Sequence, residues 1–333
     1  MSYFSLYLDY FYPRGGVGKL AETLKNKIAE QGGEILTNTR ITEVKAAKCL
    51  LTDHNGITYT YSNLIWAADL KTLYRITDTD GLSQTVKALT EEAKNKFFRN
   101  RGGDSVFSLF VGVDEPLESF REIAHGHFFY TPLKTGLGET HRSELDHLIS
   151  NFEKVDKQQI LEWLDKFVRL NTYEISIPGL KDQELVPPGK TGLIISFLSE
   201  YNLFKKIKEA GWLDEFVTEM ENRVLDVIAD SVYPMLKDKI ITRFSYTPLS
   251  IENRVGSSEG AITGWAFQES MPVINKIQSS GGSVFTPLPS IYQAGQWTYS
   301  PAGVPMSILT GKLASDKVLK KIRKDRKRNA FTP

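Results

Sequence analysis

From Ile277 to Gly311 the chain runs 35 residues without one charged side chain, in a sequence that is 24% Asp, Glu, Lys and Arg. The segment is rich in Gly, Pro, Ser and Thr, so it is too polar to span a membrane. It is also too poor in charge to be a solvated linker. Small residues let backbone amides approach a neighbour closely, so such a run is expected to pass through the interior or to line a buried ligand. An interior of that kind needs a sizeable fold around it. At 333 residues the chain has room for about two domains.

Charge outside this segment is unevenly distributed. Between Lys312 and Arg328 there are nine basic residues and two acidic ones, which leaves the rest of the chain at −6 although the overall net charge is +1. The tail is therefore basic and the body mildly acidic. With 41% hydrophobic residues the composition is that of a globular protein, not of collagen, a coiled-coil rod or a disordered chain. Cys49 is the single cysteine, so an intrachain disulfide and a cysteine-based metal site are both excluded, and a reducing cytoplasm is expected. Five histidines argue against a zinc enzyme, and metal ligands are expected to be absent. The first residues lack the basic, apolar and small-residue order of a secretory signal, and no apolar run approaches the length of a span.

Local patterns place the elements. Residues 3 to 12 alternate aromatic and polar positions up to Pro13, which predicts a strand. Leu20, Leu24 and Ile28 recur every four residues ahead of Gly32 and Gly33, which predicts an amphipathic helix. Short strands are predicted over 34–37, 40–45, 49–52 and 57–61, with an Asn55-Gly56 hairpin step, and over the apolar run 63–68. Further strands are predicted over 105–113, 127–131, 191–198 and 240–247, with helices over 160–170 and 212–232. In the second helix Trp212, Phe216, Met220, Val224, Leu225 and Ile228 share one face. This middle region reads as α+β, a mostly antiparallel sheet with helices on one side.

Two glycine motifs invite a functional reading. Gly16-Val17-Gly18-Lys19-Leu20-Ala21 fits G-x-G-x-x-G/A, but Tyr12-Pro13-Arg14 precedes it instead of a buried strand, and the following strand ends in Asn38, not in an acidic residue. It reads as a decoy for dinucleotide binding, with a plain tight turn and a ligand-facing helix start as the two alternatives. In residues 292 to 319 a short strand ends at Tyr292, Ala294-Gly295 turns, and Gly303-Val304-Pro305 enters a helix with proline at its first position. A helix start aimed at a ligand, or a capped helix after a buried loop, fits this equally well. His125 and His127 read as solvated strand-end histidines without a nearby carboxylate. Trp265 reads as core packing, with lining of an apolar tunnel as the alternative.

Taken in order, YPRGGVGKL (12–20), GGEILTNTRITEV (32–44), NLIWAADLKTL (63–73), VPPGKTGLIIS (186–196), SSEGAITGW (257–265) and AGQWTYSPAGVPMSILTGKLA (294–314) resemble the FAD-dependent phytoene desaturase, carotenoid isomerase and retinol saturase family. The resemblance implies a fold that is α/β and α+β. It comprises part of a Rossmann-like FAD-binding domain of the glutathione-reductase type and a mostly antiparallel-sheet substrate domain. It assigns 1–75 to the FAD-binding domain, 76–255 to the substrate domain, 256–325 to the returning FAD-binding segment and 326–333 to a basic tail. It implies FAD as cofactor, with Ile41 as a backbone contact at the adenine end and Ala67 and Ala68 ending a strand that points to the cofactor. Gly295 and Gln296 would lie by the pyrophosphate and ribityl chain, and Gly303, Val304 and Pro305 by the flavin ring. Gly15, Gly16 and Gly18 would lie near the ring and a substrate channel. No residue is singled out as catalytic.

The activity implied is oxidoreduction of a lipophilic polyene or isoprenoid, with desaturation, saturation and isomerisation equally open. Family members carry a further G-x-G-x-x-G segment upstream, so the resemblance also implies a truncated or split chain whose FAD-binding half is encoded separately. The alternative is an inactive or partner-dependent substrate module that does not bind FAD alone. For the basic tail a solvated helix end ranks first, peripheral contact with anionic lipid second and nucleic acid last.

Overall fold

A computed structural model describes residues 11–267 and 270–330. The strand expected over 3–12 thus lies outside the described residues except for Phe11 and Tyr12, which are in no strand. In chain order the elements begin α1 (Gly18–Glu30), β1 (Ile41–Lys45), β2 (Leu50–Asp53), β3 (Thr58–Thr60), β4 (Leu64–Trp66), α2 (Leu70–Ile76), β5 (Thr77–Asp78) and α3 (Gln84–Arg99). They continue with β6 (Ser105–Val113), α4 (Leu117–Arg121), β7 (His127–Tyr130), α5 (Gly138–Ser150), α6 (Lys157–Leu170), β8 (Tyr173–Ser176), α7 (Pro178–Lys181) and β9 (Thr191–Ser199). The remainder are α8 (Tyr201–Glu209), α9 (Leu213–Ser231), β10 (Ile240–Tyr246), α10 (Pro248–Val255), β11 (Ile291–Gln293) and α11 (Val304–Ala330). The chain forms two compact units, Met1–Leu36 with Val106–Thr247, and Thr37–Ser105 with Pro248–Pro333.

In the first unit five strands form one sheet in the order β10-β6-β9-β8-β7, and β10–β6, β9–β8 and β8–β7 pair antiparallel. The alternation in SVFSLFVGV puts Phe107, Leu109, Val111 and Val113 on the buried face, as a period of two requires. Helices cover that face. Phe107 packs against Phe204 of α8, Phe204 against Phe216 of α9, and Phe197 of β9 against Phe167 of α6. Helix α6 starts a turn earlier than its apolar stripe because Asp156 and Gln159 form a capping box. The expected face of α9 is buried from Phe216 to Ile228. Strand β8 escapes a pattern search because it is four residues long, yet Tyr173 is fully buried and its hydroxyl donates to Val168 O at 2.5 Å. Helix α1 forms and ends at Glu30, with Gly32 turning the chain at φ +77° just beyond its cap, but its stripe is not covered: Leu20 and Leu24 are 60% and 63% exposed.

The second unit holds a sheet in the order β3-β2-β1-β5 and a parallel pair, β4 with β11. The hairpin step forms as expected, with Gly56 at φ +79° and Asp53 Oδ1 accepting from the amides of Asn55 and Ile57 at 2.8 and 3.0 Å. The expected strand over 34–37 is corrected: these residues form none. Asn38 at φ +54° turns the chain out of extended geometry just before β1, and no described strand pairs with the segment. Cys49, expected to open β2, instead takes a left-handed φ of +53°. The charge-free segment runs through the interior, burying Val284, Leu288, Ile291, Ala294, Trp297, Thr298 and Thr310.

Candidate functional site

Parallel strands present their carboxyl ends to ligands, because loops and helix starts gather there. Strands β4 and β11 pair in register, Leu64 with Ile291 and Trp66 with Gln293, so their carboxyl ends lie side by side. Ala294 N donates to Trp66 O at 2.9 Å, and Gly295 turns the chain away at φ +88°. A Cβ at Gly295 would sit a tight 3.3 Å from Ala67 O, and the left-handed φ itself favours glycine there. Gly295 N in turn donates to Thr310 Oγ1 on α11 at 3.0 Å, which ties the turn to that helix. Ala67, Ala68, Gly295 and Gln296 are thus brought together. Gly303, Val304 and Pro305 lie at the start of the same helix, with Gly303 at φ +138° and Val304 68% exposed. The first-turn amides of Val304 and Met306 have no intrahelical acceptor, and Pro305 has no N–H to leave unsatisfied. Ile41 opens β1 and packs on the core that contains Trp66, Ile291 and Trp297.

A second layer buttresses this arrangement. Gly264 lies so close to the turn that a Cβ there would come within 2.3 Å of Gln296 O. Trp265 is 3% exposed, donates Nε1–H to Trp297 O at 2.8 Å, stacks on Phe97 and meets the Trp297 ring edge-on. Glu259, at a left-handed φ of +59°, accepts from Lys71 Nζ at 2.5 Å and from Gly102 N at 2.7 Å. Asp69 caps α2 through Thr72 N at 2.7 Å and accepts Ser258 N at 2.8 Å. The core role expected for Trp265 is therefore present, whereas Lys71, Asp69 and Glu259 carried no direct sequence signal. They are 188 or more positions apart along the chain at their closest cross-pair, and only the fold joins them. A cavity of about 330 Å³ lies between α3 and the 272–298 segment, lined in part by Tyr74, Phe97, Gln293 and Thr298.

Gly15, Gly16 and Gly18 belong to the first unit. Gly15 and Gly16 take φ of +82° and +87°, and Gly18 is the first residue of α1. Gly15 N donates to Asp182 Oδ2 at 2.6 Å, and this bond holds the Asp182 carboxyl below its usual range. Next to it Lys181 sits 5.1 Å from the Tyr12 ring, and burial lowers its pKa.

The other face of the sheet in the first unit is partly exposed. Phe110 and Phe244 stack at 4.8 Å and 3° between planes, and Tyr246 meets both edge-on. Ser108 and Ser196 hydroxyls meet at 2.8 Å on neighbouring strands, and Leu198 is 54% exposed. His127 does have a carboxylate beside it, contrary to expectation: Nε2 lies 2.8 Å from Glu174 Oε1, because β7 pairs with the β8 strand that the pattern search missed. Among the described residues no group of three or more His, Cys, Asp or Glu is placed to hold a metal ion, and no helix is long and apolar enough to cross a membrane.

Several known proteins are similar to this chain in sequence or in fold. A 4,4'-diapophytoene desaturase (4,4'-diaponeurosporene-forming) of Staphylococcus aureus strain Newman is 25% identical over 155 residues, covering 45% of this chain and 29% of its own length. A putrescine oxidase redesigned in its cofactor binding superposes with a TM-score of 0.54 at 13% identity, covering 92% of this chain and 53% of that one. Putrescine oxidase bound to putrescine gives 0.51 at 14% identity with the same coverage. The chain thus spans under a third of the desaturase and about half of the oxidase, and the structural likeness establishes the fold. The model of the flavin containing amine oxidoreductase family matches residues 2–319, and the chain belongs to that family.

Proposed function

We propose that the chain is part of a FAD-dependent oxidoreductase acting on a lipophilic polyene or isoprenoid. The observation that carries the reading is the convergence of Ala67, Gly295 and Thr310 of α11 at the carboxyl end of a parallel strand pair. Family membership brings FAD as the cofactor, and the residues present fit it: the glycine turn at Gly295, φ +88°, follows the carboxyl end of a parallel strand without a side chain, where a dinucleotide's phosphates would approach backbone. In this reading Gly295 and Gln296 would hold the pyrophosphate and ribityl region, and the amides of Val304 and Met306 would face the flavin ring. Bound FAD supplies the two-electron chemistry. The helix start favours negative charge on whatever it faces. Trp265 and Gly264 hold the 295–299 turn rigid, and Trp297, buried in the core, keeps water from its inner side.

The substrate class rests on two supports. One is the similarity to a carotenoid desaturase. The other is the partly exposed sheet face, where Phe110, Phe244 and Tyr246 offer apolar contact and the Ser108 and Ser196 hydroxyls satisfy each other. Titration of the purified chain with FAD, followed by tryptophan quenching and flavin absorbance, tests the cofactor half. Binding should occur and should weaken at least about tenfold in Gly295→Val, because a β-branched residue is strained at φ +88° and its Cβ would press on Ala67 O. A folded chain that ignores FAD refutes the reading for these residues and supports the partner-dependent module. For the substrate half, Phe110→Ala and Phe244→Ala should weaken polyene binding while leaving FAD affinity unchanged, and undiminished polyene binding would refute it.

A further inference from the structure

We propose that the C-terminal half of α11 is a docking surface for an anionic membrane. The helix is fixed along one side. Thr310 accepts from Gly295 N, Ala314 is fully buried against Val284 and Ala294, Lys317 lies over the Phe285 ring at 5.3 Å, and Lys321 donates to Ser290 Oγ at 2.7 Å. At 3.6 residues per turn the line through Ser315, Leu319, Ile322 and Arg326 lies about a third to half a turn away from that side. Ser315 and Arg326 are exposed, Leu319 is 46% exposed and Ile322 is half-buried. Lys320, Arg323, Lys324 and Lys327 are all exposed and form a basic stripe about a third of a turn from that line. Ala314 is the last buried residue among the described side chains of the helix and Lys321 the last with a contact to the body given above, so about 13 Å of helix runs on from there to Ala330.

The charge pattern selects the occupant. Between Lys317 and Arg328 there are eight basic residues against Asp325 alone, while everything outside 312–328 sums to −6. Screening limits each charge to about 10 Å at 0.1 M salt, so the far end of the helix presents its own field and is little offset by the acidic body. An exposed leucine and a half-buried isoleucine among lysines and arginines match the interface between lipid headgroups and acyl chains. Nucleic acid is less well matched, since residues 304–330 contain no aromatic side chain on which a base could stack.

The full chain should co-sediment with vesicles containing about one-third phosphatidylglycerol and not with pure phosphatidylcholine vesicles. Binding should fall at least about tenfold at 0.5 M salt, and likewise in the variant carrying Lys320→Gln, Arg323→Gln, Lys324→Gln and Lys327→Gln. Leu319→Gln should weaken it by a smaller factor that salt does not change, since that contact is apolar. These side chains are exposed, so the helix should keep its circular dichroism, and if the quadruple variant misfolds the salt series on the unmodified chain decides. The proposal is overturned by absence of binding to the anionic vesicles, by equal binding to both vesicle types, by a variant that binds as well as the parent, or by tighter binding to a duplex oligonucleotide than to vesicles.

Discussion

Glu259 and Lys71 offer the sharpest test of how the candidate site is held. The carboxylate accepts from Lys71 Nζ at 2.5 Å and from Gly102 N at 2.7 Å, with side-chain exposures of 8% for the lysine and 28% for the glutamate. Removing one partner of a fully buried pair costs about 3–5 kcal/mol, because the survivor stays charged and unpaired. Glu259 keeps the Gly102 amide and some water, so Lys71→Met should cost about 2–3 kcal/mol. Glu259→Gln leaves an amide oxygen for Gly102 N but strands the better buried cation 5.8 Å from the Trp265 ring, and about 2 kcal/mol is expected. The double variant should be no worse than the worse single, giving a coupling of about 2 kcal/mol. Glu259→Gly should cost about 1 kcal/mol less than Glu259→Ala, since glycine adopts φ +59° without a Cβ penalty. Urea unfolding read by tryptophan fluorescence measures all of these, because Trp66, Trp265 and Trp297 belong to the second unit. Single variants within about 0.5 kcal/mol of the parent, or a strictly additive double, would refute the buried-latch argument.

Two further outcomes follow from the packing. Gly264→Ala combines a φ of +74° with a Cβ only 2.3 Å from Gln296 O, so it should destabilise the second unit by about 3 kcal/mol or more and weaken FAD binding; an unaltered melt would show that the 295–299 turn is not held there. His141 is buried with both ring nitrogens unpartnered and stacked on Trp163 and Phe167, and burial lowers its pKa from the ordinary 6.5. The unfolded chain then takes up the proton first, so its contribution is complete above about pH 6.5 and is lost as the pH falls towards the folded pKa. His141→Phe should flatten that acid limb in a pH series of urea midpoints, and an unchanged limb would remove His141 as its cause.

The accuracy of the sequence reading follows the distance over which each structural cause acts. β6 and β9 were legible because a period of two over nine residues can be satisfied only by a half-buried sheet strand, and the face of α9 was legible because six apolar positions kept a helical period. Short elements divide by whether a partner strand is there: β1 to β4 and β7 form close to where they are expected. The segment 34–37 has strand-forming residues but no partner among the described strands, whereas β8 is as short and succeeds because β7 and β9 pair with it on both edges. The amphipathic stripe of α1 was legible too, yet periodicity says which residues share a face and not what covers it.

The candidate site divides along the same line. Gly295 and the Gly303-Val304-Pro305 helix entry were readable because steric demands on a turn and on the first turn of a helix are local, and glycine and proline answer them, although Pro305 stands second in α11 and not first. Lys71, Asp69 and Glu259 were not, since an Asp or Lys near a helix start looks the same whether it is solvated or bonded to a segment some 190 positions later. What the sequence did carry for them was indirect. A left-handed Glu259 between Ser258 and Gly260 is tolerated only if its side chain gains enough to offset the strain, and its two charge-assisted hydrogen bonds supply that gain. The strained residue and the buried cation therefore explain each other, and the turn at Gln296 and Trp297 is positioned by the segment they anchor.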